Sequence, residues 1–264
     1  MIIDFHTHAF PDDLAVRAVE QLSEMGEEIS AHTDGTVDGL IGSMDRAGVD
    51  ASVLANIATK PEHFGAIMEW AADIRSERVI PFASLHPTDP EAPQHVAEIA
   101  DAGLKGLKLH PYYQQFVLDA PEVIPIYRAI CEQGLVLLAH TGFDIGFPFD
   151  RICDPTRILH VLEQVPGLKL VCGHLGGWSD WDEVERLLLG KEIYLDLAVV
   201  RRYLGEDRLR KFLLRHSPDH ILFGTDSPWS DQAEEVVALR AMKLPTDLEV
   251  KILGQNAERL LGLG

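Results

Sequence analysis

Eight short runs rich in leucine, isoleucine and valine recur along this chain, and longer amphipathic stretches lie between them. The runs predict β-strands at residues 2–8, 51–57, 79–85, 106–110, 135–140, 169–174, 193–197 and 221–225. The amphipathic stretches predict helices that include residues 12–26, 61–74, 90–102, 121–133, 154–164, 181–189 and 206–215. Several of these helices begin with Asp or Pro and stop at Gly, the usual start and stop signals. Strands that alternate with helices favour a parallel sheet with right-handed crossovers.

The number of these units and the chain length together favour a closed barrel. A chain of 264 residues has the size at which eight strand–helix units close into a TIM barrel of about 250 residues. The alternative is an open doubly wound sheet, which usually carries a glycine-rich turn after its first strand. Here that position reads His-Thr-His-Ala-Phe-Pro. We therefore predict an α/β fold, a single-domain (β/α)₈ TIM barrel that spans residues 1–264.

Composition limits the partners of the protein. With 23 Lys+Arg against 42 Asp+Glu, the net charge is −19, which argues against nucleic acid because phosphate binding needs clustered basic side chains. No apolar run approaches the roughly 20 residues that span a bilayer. The three cysteines are too few for a disulfide framework. We expect a cytoplasmic protein that binds a small-molecule substrate and binds neither nucleic acid nor membrane. A homodimer is left open.

Histidines gather at the ends of the predicted strands. Of the twelve histidines, six lie at or near such an end: His6, His8, His86, His110, His140 and His174. Asp226 follows the eighth strand. In a TIM barrel the carboxyl ends of the strands form one rim, and that rim carries the active site. We therefore expect these side chains to converge.

The pair His6 and His8 can chelate a metal ion. Strand side chains alternate between faces, so a spacing of two places both imidazoles on the same side. Alone, the pair is equally consistent with two hydrogen-bonded polar residues. The addition of His140, His174 and Asp226 at the same rim favours a metal, because burying five titratable side chains without a cation is unfavourable.

Four motifs resemble a known family. They are Ile-Asp-Phe-His-Thr-His at the start, Leu-Ala-His140-Thr-Gly, Cys-Gly-His174-Leu-Gly-Gly and Phe-Gly-Thr-Asp226-Ser-Pro. This set resembles the amidohydrolase superfamily. It is most similar to the amidohydrolase-related branch that includes aminocarboxymuconate-semialdehyde decarboxylase and γ-resorcylate decarboxylase, alongside lactone hydrolases. The resemblance implies a metal-dependent TIM barrel and extends from residue 2 to about residue 230.

The resemblance also implies a set of metal ligands. They are His6, His8, His140 and Asp226, around one divalent ion. Zn²⁺ is expected first, with Mn²⁺, Fe²⁺ and Co²⁺ as alternatives. His174 and Asp226 are the implied catalytic residues. A second metal would need a bridging group at the fourth strand, where Lys108 could serve if it were carboxylated. An ammonium paired with an acidic neighbour is the favoured interpretation of Lys108, so we predict a mononuclear site.

Substrate-binding residues are expected in the loops that follow the strands. We predict this role for His110 and Tyr112 after the fourth strand, Trp178 after the sixth and Arg201 after the seventh. Aromatic rings suit a flat substrate, and a guanidinium can bind a carboxylate through two hydrogen bonds. Each aromatic ring is equally consistent with loop packing, and a solvated cation at a helix start is the favoured alternative for Arg201.

The ligand set leaves two enzymatic reactions open and argues against a catalytically silent barrel. The leading prediction is a metal-dependent hydrolase that uses a metal-activated water on a lactone, ester or amide. It rests on the breadth of hydrolytic chemistry in the superfamily and on the short chain. The alternative is a metal-dependent nonoxidative decarboxylase of an aromatic or unsaturated carboxylic acid.

Overall fold

A computed structural model of the protein describes residues 1–25 and 30–263, and these contain eight parallel strands. The strands are β1 (Ile3–Thr7), β2 (Ala51–Ala55), β3 (Val79–Phe82), β4 (Gly106–Leu109), β5 (Val136–Ala139), β6 (Lys169–Cys172), β7 (Tyr194–Asp196) and β8 (Ile221–Leu222). Each lies within its predicted range and ends one to three residues earlier. Most of the polar residues predicted at the rim therefore lie in the loops just after the strands, whereas His6 lies within β1 and Lys108 within β4.

Helices follow the strands and cover the outside of the sheet. The α-helices are α1 (Asp12–Met25), α2 (Val37–Ala47), α3 (Phe64–Ile74), α4 (Ala92–Asp101), α5 (Ile124–Glu132), α6 (Pro155–Gln164), α7 (Trp181–Leu187), α8 (Val200–Leu204), α9 (Glu206–Arg215), α10 (Gln232–Ala241), α11 (Thr246–Val250) and α12 (Asn256–Leu261). Gly26, the predicted end of the first helix, lies outside the described residues. A bilayer-spanning segment is not found among the described helices, since none combines the required length with the required hydropathy.

Two junctions close the sheet into a barrel. Parallel pairing joins β1 to β3 in one group and β4 to β8 in the other. Between β3 and β4, the Lys108 amide donates to the Ala83 carbonyl at 2.8 Å. Between β8 and β1, the Phe5 amide donates to the Phe223 carbonyl at 2.8 Å, and Thr7 bridges to Ser227. The closed ring excludes the open doubly wound sheet, and the predicted TIM barrel is confirmed.

The core lies on both sides of the strands. One buried cluster includes Phe5, Phe82 and Leu138 from the strands together with Leu260 of α12. A larger cluster includes alternate strand residues such as Leu107 and joins them to the surrounding helices. This division follows from the strand period of two, which directs successive side chains to opposite faces. The rim is therefore the part of the barrel where buried polar groups gather.

Candidate metal centre and active site

A cavity of about 470 Å³ opens at the carboxyl ends of the strands. The titratable side chains that line its polar end are His6, His8, Lys108, His110, His140, Asp144, His174 and Asp226. The structure therefore brings together all the predicted ligands and both predicted catalytic residues. It also places His110 and Trp178, two of the predicted substrate-binding residues, in the cavity wall.

Three ligand atoms converge at the end of β1. The Nε2 atom of His8 lies 3.0 Å from Oδ1 of Asp226, and Nε2 of His6 lies 3.4 Å from the same oxygen. The ligand atoms of these three residues all lie within 4.8 Å of one another. His6 is fully buried, whereas His8 and Asp226 keep a small exposed area toward the cavity.

Hydrogen bonds fix the tautomer of both imidazoles. The Nδ1 atom of His8 lies 2.8 Å from the Ala55 carbonyl, which can only accept, so Nδ1 carries the proton. The Nδ1 atom of His6 lies 2.8 Å from Oδ2 of Asp196 and donates in the same way. Burial, followed by the nearby Lys108 ammonium, lowers the pKa of His6 to about 4 and keeps this ring neutral. Both Nε2 atoms therefore present lone pairs to Asp226.

This donor set fits a divalent cation. Two imidazole lone pairs face a carboxylate oxygen, and three acceptors in contact need a cation between them. Burial alone raises the pKa of a carboxyl group, yet positive charge at His6 and His8 would hold the pKa of Asp226 well below its ordinary value, so the ionised carboxylate also needs a cation beside it. Imidazole and carboxylate ligands suit Zn²⁺, Mn²⁺ and Fe²⁺. His6, His8 and Asp226 could therefore hold the metal that the sequence predicts.

Asp196, at the end of β7, orients two histidines at once. Its Oδ2 atom accepts from His6, while its Oδ1 atom accepts from the backbone amides of His174 and Ala198 at 2.9 and 3.1 Å. Burial raises the pKa of a carboxyl group, but the hydrogen bond from His6 and the nearby Lys108 ammonium lower the pKa of Asp196 below its ordinary value. Asp196 was not among the predicted site residues. Its position at the end of a strand could have identified it, since the same feature identified the histidines as site residues.

Lys108 lies beside the metal group. Its Nζ atom is 3.0 Å from Nε2 of His6, and the side chain is almost completely buried. Burial lowers the pKa of Lys108 to about 8. Among the described residues no carboxylate lies within ion-pair distance of this amine, so the direct acidic partner that the sequence favoured is not found. Asp226 and Asp196 act on Lys108 from beyond contact range.

His140 lies next to His174 and outside the group formed by His6, His8 and Asp226. Its Nδ1 atom is 2.9 Å from Nε2 of His174, and its Nε2 atom is 3.0 Å from the Phe143 carbonyl. Burial, followed by the neighbouring histidines, holds the pKa of His140 well below its ordinary value. A neutral ring has one N–H for these two acceptors. Its role as a fourth ligand stays a prediction, and that role needs Nε2 to turn from the carbonyl.

His110 and His140 form a second polar group with Asp144. Their rings stack with centroids 4.2 Å apart, and Nε2 of His110 lies 3.4 Å from Oδ2 of Asp144. The Nδ1 atom of His110 is buried and has no hydrogen-bond partner among the described residues. The Nε2 atom of His140 lies 3.8 Å from Oδ2 of Asp144, and the ligand atoms of the three residues all lie within 4.8 Å of one another. This group therefore presents hydrogen-bonding atoms to the cavity.

Two predicted substrate-binding residues lie away from the cavity wall. Tyr112 is buried, and its hydroxyl donates to the Asp150 carbonyl at 2.6 Å, while the adjacent Tyr113 lines the cavity. Arg201 donates twice to Glu235, at 2.7 and 3.0 Å. A guanidinium held this way is not free to bind a substrate carboxylate. The substrate-binding roles of Tyr112 and Arg201 stay predictions that this geometry does not support.

Strained backbone surrounds the site. His174, Val199 and Asp226 have positive φ angles of 56°, 59° and 65°, a region that residues other than glycine rarely adopt. A buried network holds Asp226 in this conformation, because Asp4 accepts from the Thr225 amide and hydroxyl at 3.0 and 2.6 Å. Burial raises the pKa of Asp4 to about 7. Such strain persists where the surrounding contacts over-determine the backbone, as they do at functional sites.

The family follows from a match along the whole chain. A family model described as Amidohydrolase matches residues 3–263. The chain belongs to the amidohydrolase family. No curated protein matches it by sequence. The resemblance predicted from the four motifs is therefore confirmed, and this amidohydrolase-family chain is an enzyme of that superfamily.

Solved structures share the fold of this amidohydrolase-family chain. An uncharacterized TIM-barrel protein from Bordetella bronchiseptica is 21% identical, with a TM-score of 0.79 over 99% of this chain and 98% of that one. A 2,6-dihydroxybenzoate decarboxylase bound to 2,6-dihydroxybenzoate is 17% identical, with a TM-score of 0.75 over 99% of both chains. The 5-carboxyvanillate decarboxylase from Novosphingobium aromaticivorans, complexed with manganese, is 17% identical, with a TM-score of 0.74 over 99% of this chain and 96% of that one.

These structures correct the leading prediction of a hydrolase. The two neighbours above with a named activity are decarboxylases, which favours the alternative reaction. Hydrolytic chemistry is broad in the superfamily as a whole, but the named neighbours of this chain are decarboxylases.

Proposed function

We propose that the protein is a metal-dependent nonoxidative decarboxylase of an aromatic or unsaturated carboxylic acid. The observation that carries this proposal is the composition of the cavity. Its polar end combines converging imidazole and carboxylate atoms with the Lys108 amine, and the remaining wall is largely apolar. Such a site attracts one carboxylate and surrounds it with little water. The named decarboxylases of the same fold support this reaction.

We assign the divalent cation to His6, His8 and Asp226, with His140 as the fourth ligand. Zn²⁺ keeps its place as the expected ion, and the manganese in the Novosphingobium aromaticivorans neighbour supports Mn²⁺ as the alternative. When bound, the cation supplies Lewis acidity that orients and polarises substrate oxygens.

The side chains around the cation position the substrate. Lys108 supplies a positive charge for the carboxylate at the base of the cavity. His110 lines the cavity with its hydrogen-bonding atoms, and Trp178 offers a ring face to a flat substrate. Apolar surroundings replace the hydration shell of the carboxylate, and that favours release of neutral carbon dioxide.

The reaction needs one proton for each carbon dioxide released. The bond between the substrate carbon and the carboxyl carbon breaks, its electron pair stays on the substrate carbon, and a proton joins that carbon. We assign the delivery of this proton to His174, which lines the cavity and regains the proton from solvent there. Asp226, a carboxylate at neutral pH, accepts a proton from a substrate hydroxyl group beside the reacting carbon and returns it to that oxygen when the product forms.

A substrate panel tests the reaction. Purified protein loaded with Zn²⁺ or Mn²⁺ is incubated with 2,6-dihydroxybenzoate, 5-carboxyvanillate, simple unsaturated acids and a set of lactones. Carbon dioxide and titratable acid are both measured. We expect carbon dioxide from at least one acid and no acid production from the lactones. Acid production from a lactone without carbon dioxide from any carboxylate would refute the proposal.

Replacing His174 separates catalysis from metal binding. Asparagine is the appropriate substitute because it tolerates the positive φ of this position better than alanine. We expect His174→Asn to lose carbon dioxide release by about 10²-fold or more, the usual contribution of a general acid, and to keep its metal content.

The matched control is His86→Asn, since His86 also follows a strand but does not line the cavity and bonds Thr88. This variant should keep both activity and metal. Loss of one metal equivalent from His174→Asn would show that His174 is a ligand.

A further inference from the structure

The cavity continues from the metal group into an apolar arm. We define this arm by the side chains Phe10, Leu14, Leu22, Ile67, Trp70 and Ile145. Two of them lie at the mouth and are markedly exposed for their type, Leu14 at 50% and Ile145 at 42%. The cavity volume of about 470 Å³ is that of a site for a drug-sized ligand, about 300–1,000 Å³.

Helices α1 and α3 supply most of this arm. On α3, Ile67 and Trp70 lie three residues apart and so share one face of the helix. Phe64 and Ala71, three and four residues from Ile67, lie on the adjacent face and are buried in the core. The apolar stripe of α3 is therefore wider than its buried part, and its outer edge, Ile67 and Trp70, lines the cavity.

The few polar groups in this wall are already engaged. Asn56 donates to the Phe82 carbonyl at 2.9 Å, and the hydroxyl of Thr59 lies 3.4 Å from Nδ1 of His63. Among the described residues that line the cavity, Lys108 is the one lysine or arginine. A second carboxylate on the substrate would therefore meet an uncharged wall in a protein of net charge −19.

From this division of the cavity we infer that the substrate is a monocarboxylic acid with an extended apolar substituent, which lies along the arm while its carboxylate lies at Lys108. The inference rests on the proposed function, since it places the reacting group at the metal end. It adds to that function in two ways. Dicarboxylic acids are excluded as substrates, and the apolar substituent is the part of the substrate that confers affinity.

Unreactive probes test the inference without turnover. Benzoate, 4-hexylbenzoate and terephthalate share one ring and differ in an apolar chain or a second carboxylate. Their dissociation constants are measured by isothermal titration calorimetry with the metal-loaded protein. Each buried methylene group contributes about fourfold in affinity, so we expect 4-hexylbenzoate to bind at least about 30-fold more tightly than benzoate. Terephthalate should bind more weakly than benzoate.

Substitutions of Ile67 test whether the arm causes the preference for the apolar chain. Ile67→Asp should lower the affinity for 4-hexylbenzoate at least about tenfold and leave benzoate unchanged, because a charge in the arm faces the chain only. Ile67 is half-buried and is not part of the apolar core. Ile67→Ala, a milder change, should lower the same affinity about threefold to tenfold. The matched control is Val16→Asp, which adds the same charge at an exposed position of α1 outside the cavity.

The outcomes separate this inference from the proposed reaction. Equal binding of benzoate and 4-hexylbenzoate, or tight binding of terephthalate, would overturn the inference even if carbon dioxide is released in the panel assay. An Ile67→Asp effect that Val16→Asp reproduces would also overturn it. A strong preference for 4-hexylbenzoate with no acid decarboxylated would support recognition by the arm and overturn the proposed reaction.

Discussion

Asp196→Asn is expected to lower metal affinity by about 10- to 100-fold and carbon dioxide release by about 10³-fold or more, while the protein stays folded. The substitution changes one oxygen to an NH₂ group and keeps the shape of the side chain. Its remaining oxygen can still accept from the amides of His174 and Ala198, which are 2.9 and 3.1 Å from Oδ1. The loop after β6 should therefore keep its conformation.

The large effect comes from the tautomer of His6. Asp196 accepts the Nδ1 proton of this ring, so the Nε2 lone pair faces Asp226 and the Lys108 amine. The amide nitrogen of asparagine donates instead, which moves the ring proton to Nε2. A protonated Nε2 cannot bind a metal, and it also faces the Lys108 amine 3.0 Å away. One substitution outside the cavity thus removes one ligand.

Metal affinity is measured by competition with a chelator, and folding by thermal unfolding. Asp154→Asn is the matched control. Asp154 is also buried, but it caps the N-terminus of α6, where asparagine caps as well as aspartate. Metal affinity of Asp196→Asn within about twofold of the wild-type value would show that His6 is not held in this tautomer for metal binding, and the assigned centre would then be wrong.

The barrel was predictable because it depends on periodicity. Alternation of short apolar runs with amphipathic stretches requires strands and helices in turn, and eight such units close on themselves. The ends of the strands were less predictable. β8 comprises Ile221–Leu222, whereas the apolar run extends to residue 225. Hydrogen bonding around Asp4 and Thr225 diverts the chain there, and those partners are 221 residues apart in sequence.

The convergence of the site residues was also predictable, since strand ends meet at one rim. The direction of each side chain was not. Arg201 follows β7 as expected, but its guanidinium donates to Glu235, which lies 34 residues later in the sequence. His140 contacts His174 rather than the His6 group. The apolar arm lies on α1 and α3, whose cavity-facing residues read in sequence as ordinary packing positions. Such choices depend on tertiary neighbours that no local pattern contains.

Gly142→Ala is expected to lower the free energy of unfolding by about 4 kcal/mol or more, the range that marks exceptional substitutions. Gly142 has a φ of +88°, where a Cβ atom is strained. The Cβ would also lie 2.0 Å from the Trp178 amide nitrogen and 2.4 Å from the Gly177 carbonyl carbon. These are backbone atoms, so no side-chain rotation relieves the overlap.

The damage should reach the cavity because the overlap falls on a bridge between two rim loops. The Trp178 amide donates to the Thr141 carbonyl at 2.9 Å, and the Phe143 amide donates to the Trp178 carbonyl at 2.9 Å. Separating these loops moves Trp178, which lines the cavity, and disturbs His140, which immediately precedes Thr141. We therefore expect substrate binding to weaken together with stability.

Gly134→Ala separates backbone strain from steric overlap. Gly134 has a similar φ of +66°, and a Cβ there meets nothing within 4 Å. Its substitution should cost about 1–2 kcal/mol, the usual penalty for a left-handed residue with a side chain. Urea unfolding of both variants measures the difference. If Gly142→Ala is no less stable than Gly134→Ala, the two rim loops do not pack as closely as described, because overlap with fixed backbone atoms must add to the strain that both positions share.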